Sequence, residues 1–296
     1  MLSLGATSTL LILSGANMAN AHPKHASEVI FVPMAGPVTD VKEALFKQLL
    51  HTSTVPIVVG FDHAQTADKV QSVIDLTLGA AAAIRTRLSL VAMSHDDLVH
   101  RHSPRFPQAI QNFAGSPPNA PSKLAALDWF ARSNFSYMWH FEDDTYVHNF
   151  SELSASYAKP ADLVIDAHNE KLPFWYPDWM VGDTNHGLPP GNFNFAGLAA
   201  FRTSRRFANA VLHTIQTEHS ASHHEIFLPY VFSRHPHFVL QPLHGVHTKH
   251  LQLNFNRPKE TWPPLCALEE KSAALAHPVK VLCPSPHNAQ ESSQSQ

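Results

Sequence analysis

The stretch "YMWHFEDDTYVHN", residues 137–149, places three consecutive carboxylates at the end of an apolar, aromatic-rich run. The run before the carboxylates predicts a strand that passes through a core, where charged residues are normally excluded. Glu142, Asp143 and Asp144 repel one another, and they stay ionised together only when something cationic lies among them. An isolated acidic triplet is usually a solvated turn. The apolar sequence on both sides of this one favours a site for a hard divalent cation.

Alternation of strands and helices precedes the acidic triplet and predicts the fold class. Three apolar runs are expected to form buried strands: 28–36, 55–62 and 87–94. Helical spacing of apolar residues follows in three places: after a capping box of Asp40 and Glu43, over 66–85, and after Ser122. This order predicts an α/β sheet with parallel strands, in which ligands bind beyond the carboxyl ends of the strands. Asp62 and the acidic triplet both lie at such ends.

The second half of the chain is less regular. Residues 161–168 predict a further strand, and 205–219 and 223–235 predict two helices. A loop containing Pro and His is expected over 95–121. A second loop, over 172–202, carries aromatic, Gly and Pro residues and is expected to line a binding cleft.

The composition excludes several classes of function. The chain of 296 residues has a formal net charge of -3 and no cluster of Lys and Arg, so no nucleic-acid partner is expected. The sequence contains no GxGxxG or GxxxxGK[ST] motif, which argues against dinucleotide-dependent dehydrogenases and P-loop kinases. The 22 histidines, in contrast, make binding of a divalent metal easy.

The two ends of the chain differ from its middle. Residues 1–27 are small and apolar up to a small-x-small cleavage site, which predicts a signal peptide or a short signal-anchor. The alternative for this segment is a disordered or wrongly assigned N-terminus. One domain is expected over 28–257. It is followed by a partly disordered C-terminal tail over 258–296, where Pro, Ser and Gln accumulate.

Further features agree with a secretory route. N-glycosylation sequons begin at Asn134 and Asn149, although such triplets also arise by chance. The two cysteines of the sequence, Cys266 and Cys283, could form one disulfide that staples the tail in an oxidising compartment. We therefore expect a protein of the Golgi or endoplasmic reticulum lumen, or a secreted one, with membrane anchoring by the N-terminus only.

The segment "LDWFARSNFSYMWHFEDDTYVHNFSEL", residues 127–153, resembles the metal-site segment of nucleotide-sugar-dependent glycosyltransferases of the GT-A fold. It is most similar to the β-1,3-glycosyltransferase and fringe-like group. The shared order is a helix with an aromatic end, a strand, an acidic triplet, a short apolar stretch and a further helix. The resemblance implies an α/β fold of the GT-A type, with a Rossmann-like mixed sheet flanked by helices in a single domain. The chain departs from the family pattern at Glu142, where Asp is commoner.

The resemblance also implies roles for residues near the acidic triplet. Asp144 would be the main metal ligand, Asp143 would assist it through the nucleotide or water, and Glu142 would lie near the ribose. Lys123 would contact the donor nucleotide, and Asp62 is expected to do so as well because it follows a predicted strand at the ligand-binding edge of the sheet. The alternative for Lys123 is an exposed lysine in the first turn of a helix.

Residues further along the chain fit the same resemblance. Glu225 would be the catalytic base, and the alternative is a carboxylate that interacts with a helix N-terminus. The stretch "LHGVHTKH" places a histidine at every third position, and His247 is expected to supply the last metal ligand, with His244 the second choice. The family's paired glycines on the acceptor side are reduced here to Gly197.

Together these features predict a metal-dependent glycosyltransferase. Mn²⁺ or another divalent cation would bind a nucleotide-sugar donor, expected to be UDP-linked, and a hydroxyl of a glycan or glycoprotein acceptor would attack the sugar with inversion. Two alternatives stay open. A metallohydrolase would use the same carboxylates and the histidine cluster to activate water. A non-catalytic, secreted carbohydrate- or nucleotide-sugar-binding protein would account for the reduced glycine pattern.

Overall fold

The computed structural model describes most of the predicted domain and part of the C-terminal segment. The described residues are 27–34, 37–61, 68–69, 71–72, 87–105, 107, 109–110, 122–157, 160–168, 195–219, 221, 223–243, 251–253, 264–270, 275–280 and 282. In these ranges no helix has the length and apolar character needed to cross a membrane. Most of the helix predicted over 66–85 and most of the loop predicted over 172–202 lie outside them.

Both strands and helices occur throughout the described residues. The strands are β1 (Glu28–Met34), β2 (Ile57–Phe61), β3 (Leu88–Ala92), β4 (Tyr137–Phe141), β5 (Tyr146–Val147), β6 (Leu163–His168), β7 (Phe195–Ser204), β8 (Leu240–Pro242), β9 (Leu251–Leu253) and β10 (Leu275–His277). The helices are α1 (Asp40–Thr52), α2 (His95–His102), α3 (Ser122–Arg132), α4 (Phe150–Ser156), α5 (Arg205–Glu218), α6 (His224–Ser233) and α7 (Leu265–Glu270).

Two local predictions are wrong. Helix α1 is capped by Thr39 and not by Asp40, because Thr39 keeps an extended backbone and its side chain accepts a hydrogen bond from the backbone N–H of Lys42 at 3.4 Å. Helix α2 occupies the start of the predicted loop, where the side chain of Ser94 accepts from the N–H of Asp97 at 3.2 Å. The buried residues of α2 are Leu98 and His102, so the helix has a single buried apolar side chain. Its sequence therefore lacks the repeated apolar spacing that predicts a helix.

In the part of the chain that the structure describes, seven strands form a mixed central sheet in the order β3-β2-β1-β4-β7-β6-β8. Strand β1 pairs in parallel with β2 and β4, and β2 pairs in parallel with β3. Strand β7 runs antiparallel to both of its neighbours, β4 and β6. The strands β4 and β6 therefore point in the same direction, and their carboxyl ends lie at the same edge of the sheet.

Helices cover both faces of this sheet. On one face, α2, α3, α5 and α6 pack against side chains that include Phe31 and Met138. On the other face, α1 and α4 pack against Trp139 and Phe141. Successive strand residues point to opposite faces, so β4 contributes to both cores. The predicted α/β class, with a mixed sheet flanked by helices, is confirmed.

A second sheet of three strands, in the order β5-β10-β9, contains part of the predicted C-terminal tail. Strand β10 pairs antiparallel with β5, where Leu275 lies opposite Val147. The segment after residue 258 thus contributes a helix and a strand. Cys266 lies in α7 and is partly exposed, whereas Cys283 is outside the described residues.

Candidate metal centre

The acidic triplet begins directly after β4 and forms a tight turn. The backbone N–H of Glu142 donates to the carbonyl of Ala199 on β7 at 2.8 Å, which holds the triplet against the sheet. The N–H of Thr145 donates to the carbonyl of Glu142 at 3.0 Å and closes the turn. Because the chain turns here, the carboxylates of Glu142 and Asp144 approach each other.

The side chain of His277 lies between these two carboxylates. Its Nε2 atom is 2.8 Å from Oε2 of Glu142 and 2.9 Å from Oδ1 of Asp144. One possible ligand atom from each of the three residues lies within 4.8 Å of the others. Within the described part of the chain, no other group of three His, Cys, Asp or Glu residues meets this criterion.

Backbone pairing brings His277 to this position. Strand β10 ends at His277 and pairs with β5, which starts two residues after Asp144. The N–H of Val279 donates to the carbonyl of Asp144 at 2.9 Å and fixes the chain on the other side of the histidine. The His277 side chain is 4% exposed, so its ring has little freedom to move.

Each carboxylate of the triplet also pairs with a lysine from a different part of the chain. The pairs are Lys42 of α1 with Asp143, Lys123 of α3 with Glu142, and Lys280, which follows β10, with Asp144. The Lys42 ammonium lies 2.6 Å from Oδ2 of Asp143. Three separate segments therefore converge on the triplet and balance its charge.

These contacts keep Glu142 and Asp144 ionised, although Glu142 is partly buried and Asp144 is buried. Burial would raise the pKa of Glu142, but the charge of Lys123 and the contact with His277 hold this pKa well below its usual range. Burial would also raise the pKa of Asp144, and the hydrogen bonds from His277 and Lys280 lower it instead. Burial opposes protonation of His277, but hydrogen bonds to the two carboxylates raise its pKa to about 9.

The chemistry of these three side chains fits a divalent cation such as Mn²⁺. Carboxylate oxygens and an imidazole nitrogen are established ligands of such ions. The two carboxylates are already ionised, and His277 would release its proton when Nε2 becomes a ligand. Glu142, Asp144 and His277 could therefore hold a divalent cation and leave other coordination positions to substrate oxygens.

The start of helix α6 lies close to the ion pair of Lys123 and Glu142. Burial and the charge of Lys123 lower the pKa of His223 to about 4, with Glu142 acting in the opposite direction. The Nδ1 atom of His223 is 3.7 Å from Oε2 of Glu225. The predicted base, Glu225, thus contacts a neutral histidine that lies within electrostatic range of the metal-ligand candidates.

A fully buried histidine precedes Glu142 by two residues on β4. The ring of His140 stacks on Phe201 with 4.7 Å between ring centroids, and neither of its nitrogens has a hydrogen-bond partner among the described residues. Burial and the charge of Lys123 lower the pKa of His140 to about 3. His140 therefore packs as a neutral aromatic ring.

Gly197 on β7 lies opposite a buried carboxylate. A register shift between Ile165 and Asp166 of β6 brings Asp166 opposite Gly197. A Cβ atom at position 197 would be 3.0 Å from Oδ2 of Asp166, and this close approach favours glycine. Asp166 is thus a further carboxylate at the carboxyl-end edge of the sheet.

The structure brings three of the predicted site residues together. Glu142, Asp144 and Lys123 form one contact group, and Glu142 contributes a possible ligand atom to the cluster. Asp143 pairs with Lys42 and is not part of that cluster. Three other predicted site residues lie outside the described residues: Asp62, His244 and His247.

His277 and Lys280 were not identified from the sequence. They belong to "LAHPVK", residues 275–280, in the segment that was expected to be a tail. A short apolar run followed by His and Lys is a weak signal in a chain with 22 histidines. Lys280 and Asp144 are 136 positions apart, so only the pairing of β10 with β5 relates this run to the acidic triplet.

No protein-family model and no curated protein sequence matches the chain. Among solved structures, the chain is similar to the apo form of mouse xyloside xylosyltransferase 1, with a TM-score of 0.47 and 9% sequence identity. The match covers 73% of this chain and 84% of the mouse chain. Likeness at this level carries no functional argument, so function has to be inferred from the site.

Proposed function

We propose that this chain is a metal-dependent glycosyltransferase that transfers a sugar from a nucleotide-sugar donor to a hydroxyl group of a glycan or glycoprotein. The observation that carries the proposal is the cluster of Glu142, Asp144 and His277 at the carboxyl end of the central strand β4. Ligands of α/β sheets bind at this edge. Residues 127–153 resemble the metal-site segment of GT-A glycosyltransferases, and the fringe-like group is the finer assignment that we propose.

A divalent cation at this cluster, for which we propose Mn²⁺, would neutralise the charge that develops on the leaving diphosphate. Lys123 and Lys42 add positive charge at the same edge of the sheet. The Lys123 side chain is 9% exposed and is held against Glu142, so it offers a fixed charge to an anionic ligand. We assign Lys123, together with Asp62, to the nucleotide of a UDP-linked donor.

Glu225 is the proposed general base. The acceptor oxygen would bond to the anomeric carbon while the bond from that carbon to the diphosphate breaks, and Glu225 would take the hydroxyl proton. Attack from the face opposite the leaving group inverts the anomeric configuration. The support for this role is the contact of Glu225 with His223, whose pKa is influenced by Lys123 and Glu142. The Glu225 side chain is 17% exposed, so an acceptor can still reach it.

A metallohydrolase is a second candidate, because two carboxylates and one histidine are also a suitable donor set for a hydrolytic metal site. It would bind the metal without affinity for a nucleotide. A non-catalytic binding protein would bind the donor but would not transfer the sugar. We place the transferase in the secretory pathway, where its glycan or glycoprotein acceptors would be found.

Binding and turnover of nucleotide sugars by the purified chain test this proposal. We expect Mn²⁺-dependent binding of a UDP-sugar in calorimetry, followed by slow Mn²⁺-dependent hydrolysis of the donor. Asp144→Asn and His277→Asn should each weaken this binding by more than the roughly 10- to 100-fold that loss of an outer-shell partner of a metal costs. Asp96→Asn is the control, because the Asp96 side chain on α2 is fully exposed.

The results of these binding and turnover measurements distinguish the candidate functions. Unchanged donor binding in Asp144→Asn would remove the site assignment. Mn²⁺ binding without any affinity for nucleotide sugars would favour the hydrolase. Neither binding nor turnover across a panel of nucleotide sugars would contradict the proposed function.

A further inference from the structure

Lys280 contacts the carboxylate that is central to the proposed metal site. Its ammonium group binds Oδ2 of Asp144, while the other oxygen, Oδ1, faces Nε2 of His277 at 2.9 Å. Both oxygens of Asp144 are therefore already engaged by cationic or protonated groups of the chain itself. A divalent cation at this carboxylate has to replace at least part of these contacts.

The charges within the cluster disfavour the contact of Lys280 with Asp144 once a divalent cation binds. The carboxylates of Glu142 and Asp144 already contact Lys123, Lys280 and the imidazole of His277. Even after His277 releases its proton, a divalent cation adds net positive charge to a largely buried group, where solvent screens it poorly. Departure of one lysine relieves part of this repulsion.

Burial decides which lysine can leave. The side chain of Lys123 is 9% exposed, and that of Lys280 is 45% exposed. The Lys280 ammonium can therefore move into solvent without leaving a buried charge unpaired, whereas Lys123 cannot. The backbone next to Lys280 stays attached, because the N–H of Val279 bonds to the carbonyl of Asp144 at 2.9 Å.

We infer that Lys280 is an intramolecular competitor of the divalent cation: either its ammonium or the metal ion binds the carboxylate of Asp144, but not both at once. The inference rests on the metal site of the proposed function. It assigns Lys280 a positioning role, in which the lysine holds Asp144 in place and sets the metal concentration at which the site fills. The lysine that leaves Asp144 then lies at the edge of the site, within reach of an anionic ligand of the metal.

The test measures Mn²⁺ binding alone, by calorimetry or by electron paramagnetic resonance of free Mn²⁺, in the purified chain without nucleotide. Lys280→Met should bind Mn²⁺ roughly fivefold more tightly than the natural chain, because the ion no longer breaks a half-exposed ion pair. Lys280→Arg keeps the positive charge and should bind Mn²⁺ no more tightly than the natural chain. Lys42→Met is the matched control: Lys42 pairs with Asp143, outside the ligand cluster, and its loss should change Mn²⁺ affinity much less.

The outcomes distinguish this inference from the proposed function. If Lys280→Met binds Mn²⁺ as the natural chain does, or more weakly, the competition is contradicted, while loss of binding in Asp144→Asn would still support the metal site. An equal gain in Lys42→Met would show a general charge effect and would also overturn the inference. Absence of Mn²⁺ binding in the natural chain and in all variants would overturn both. Circular dichroism of each variant confirms that it is folded.

Discussion

Glu225 differs from the metal-ligand candidates because it should act on the rate of transfer and not on donor binding. Its carboxylate lies at the start of α6 and contacts His223, not the cluster of Glu142, Asp144 and His277. We expect Glu225→Gln to lower kcat by about 10²- to 10⁴-fold, the contribution of a positioned general base. The affinity for the donor and Mn²⁺ should change little. Steady-state kinetics with an acceptor, combined with calorimetry of donor binding, separates the two effects.

The matched control for this prediction is Glu218→Gln. Glu218 ends α5 and pairs with Arg234 on the surface, so its loss should leave kcat unchanged. If Glu225→Gln weakens donor binding as strongly as it lowers kcat, Glu225 is part of the donor site and is not the base.

Residues of the candidate site could be predicted from the sequence where they lie close to one another along the chain. Asp144 and Glu142 belong to one local pattern, an acidic triplet after an apolar strand, and such a pattern is visible without a structure. Lys123 lies one helix and one turn earlier and is also local. His277 lies far along the chain from Glu142 and Asp144, and the pairing of β10 with β5 in the second sheet brings it to the site. Long-range pairing of this kind leaves no periodic signal.

A hydrogen-bond network around the buried carboxylate of Asp128 connects helices α2, α3 and α5. Asp128 of α3 is 3% exposed, and Nε2 of His102 on α2 lies 2.8 Å from its Oδ1. Arg132 donates to the other oxygen at 2.7 Å. The side-chain amide of Gln216 on α5 lies 3.0 Å from Nδ1 of His102, which extends the network to a third helix.

This network makes stability depend on pH in a defined direction. Burial would raise the pKa of Asp128, but hydrogen bonds from His102 and Arg132 and the nearby charges outweigh it and lower the pKa from its ordinary 3.8. A carboxyl group with a lowered pKa in the folded state stabilises the fold fully above the ordinary value, and this contribution disappears as the pH falls through the folded-state value. We expect Asp128→Asn to lower the free energy of unfolding by about 1–3 kcal/mol at neutral pH.

Urea unfolding at a series of pH values measures this effect. The difference between the natural chain and Asp128→Asn should be constant at neutral pH and should shrink below pH 3.8. Asp96→Asn, on the exposed side of α2, should show no comparable difference. A difference that stays the same as the pH falls would mean that the ionised form of Asp128 is not what stabilises the three helices.

Helices and strands were predictable where one face of the element is apolar. Strand β4 and helices α3 and α5 have continuous buried faces, and their bounds agree closely with the sequence pattern. Helix α2 is held by a cap and by the polar network of His102, and only Leu98 and His102 of its eight residues are buried. An element whose contacts are polar and distant has no hydrophobic period from which to predict it.

The assembled sheet separates the two ends of β4, and this separation has a consequence for modification of the chain. The carboxyl end of β4 carries the candidate metal centre, and its amino end follows the turn that contains Asn134. The five residues of β4 put about 17 Å between these ends. A glycan at Asn134 would therefore be attached at the edge of the sheet opposite the candidate metal centre.

The two sequons of the chain have different environments in the fold. Asn134 is exposed in the turn between α3 and β4, and Ser136 of its sequon is exposed as well. Asn149 caps α4, and its side-chain oxygen accepts hydrogen bonds from the N–H groups of Ser151 at 3.1 Å and Glu152 at 3.3 Å. The hydroxyl of Ser151 donates to the carbonyl of Thr52 at 3.0 Å. The side-chain oxygen of Asn149 and the hydroxyl of Ser151 are therefore already used within the fold.

We expect the chain to carry an N-linked glycan at Asn134 and not at Asn149 when it is expressed through the endoplasmic reticulum of a eukaryotic host. Treatment with an N-glycan-removing amidase should then shift the folded, secreted protein by the mass of one glycan. Asn134→Gln should abolish this shift. Asn149→Gln should keep it, while stability falls by about 0.5–2 kcal/mol through loss of the helix cap. A glycan that persists in Asn134→Gln, or disappears in Asn149→Gln, would contradict the prediction that the exposed sequon at Asn134 is modified and the hydrogen-bonded sequon at Asn149 is not.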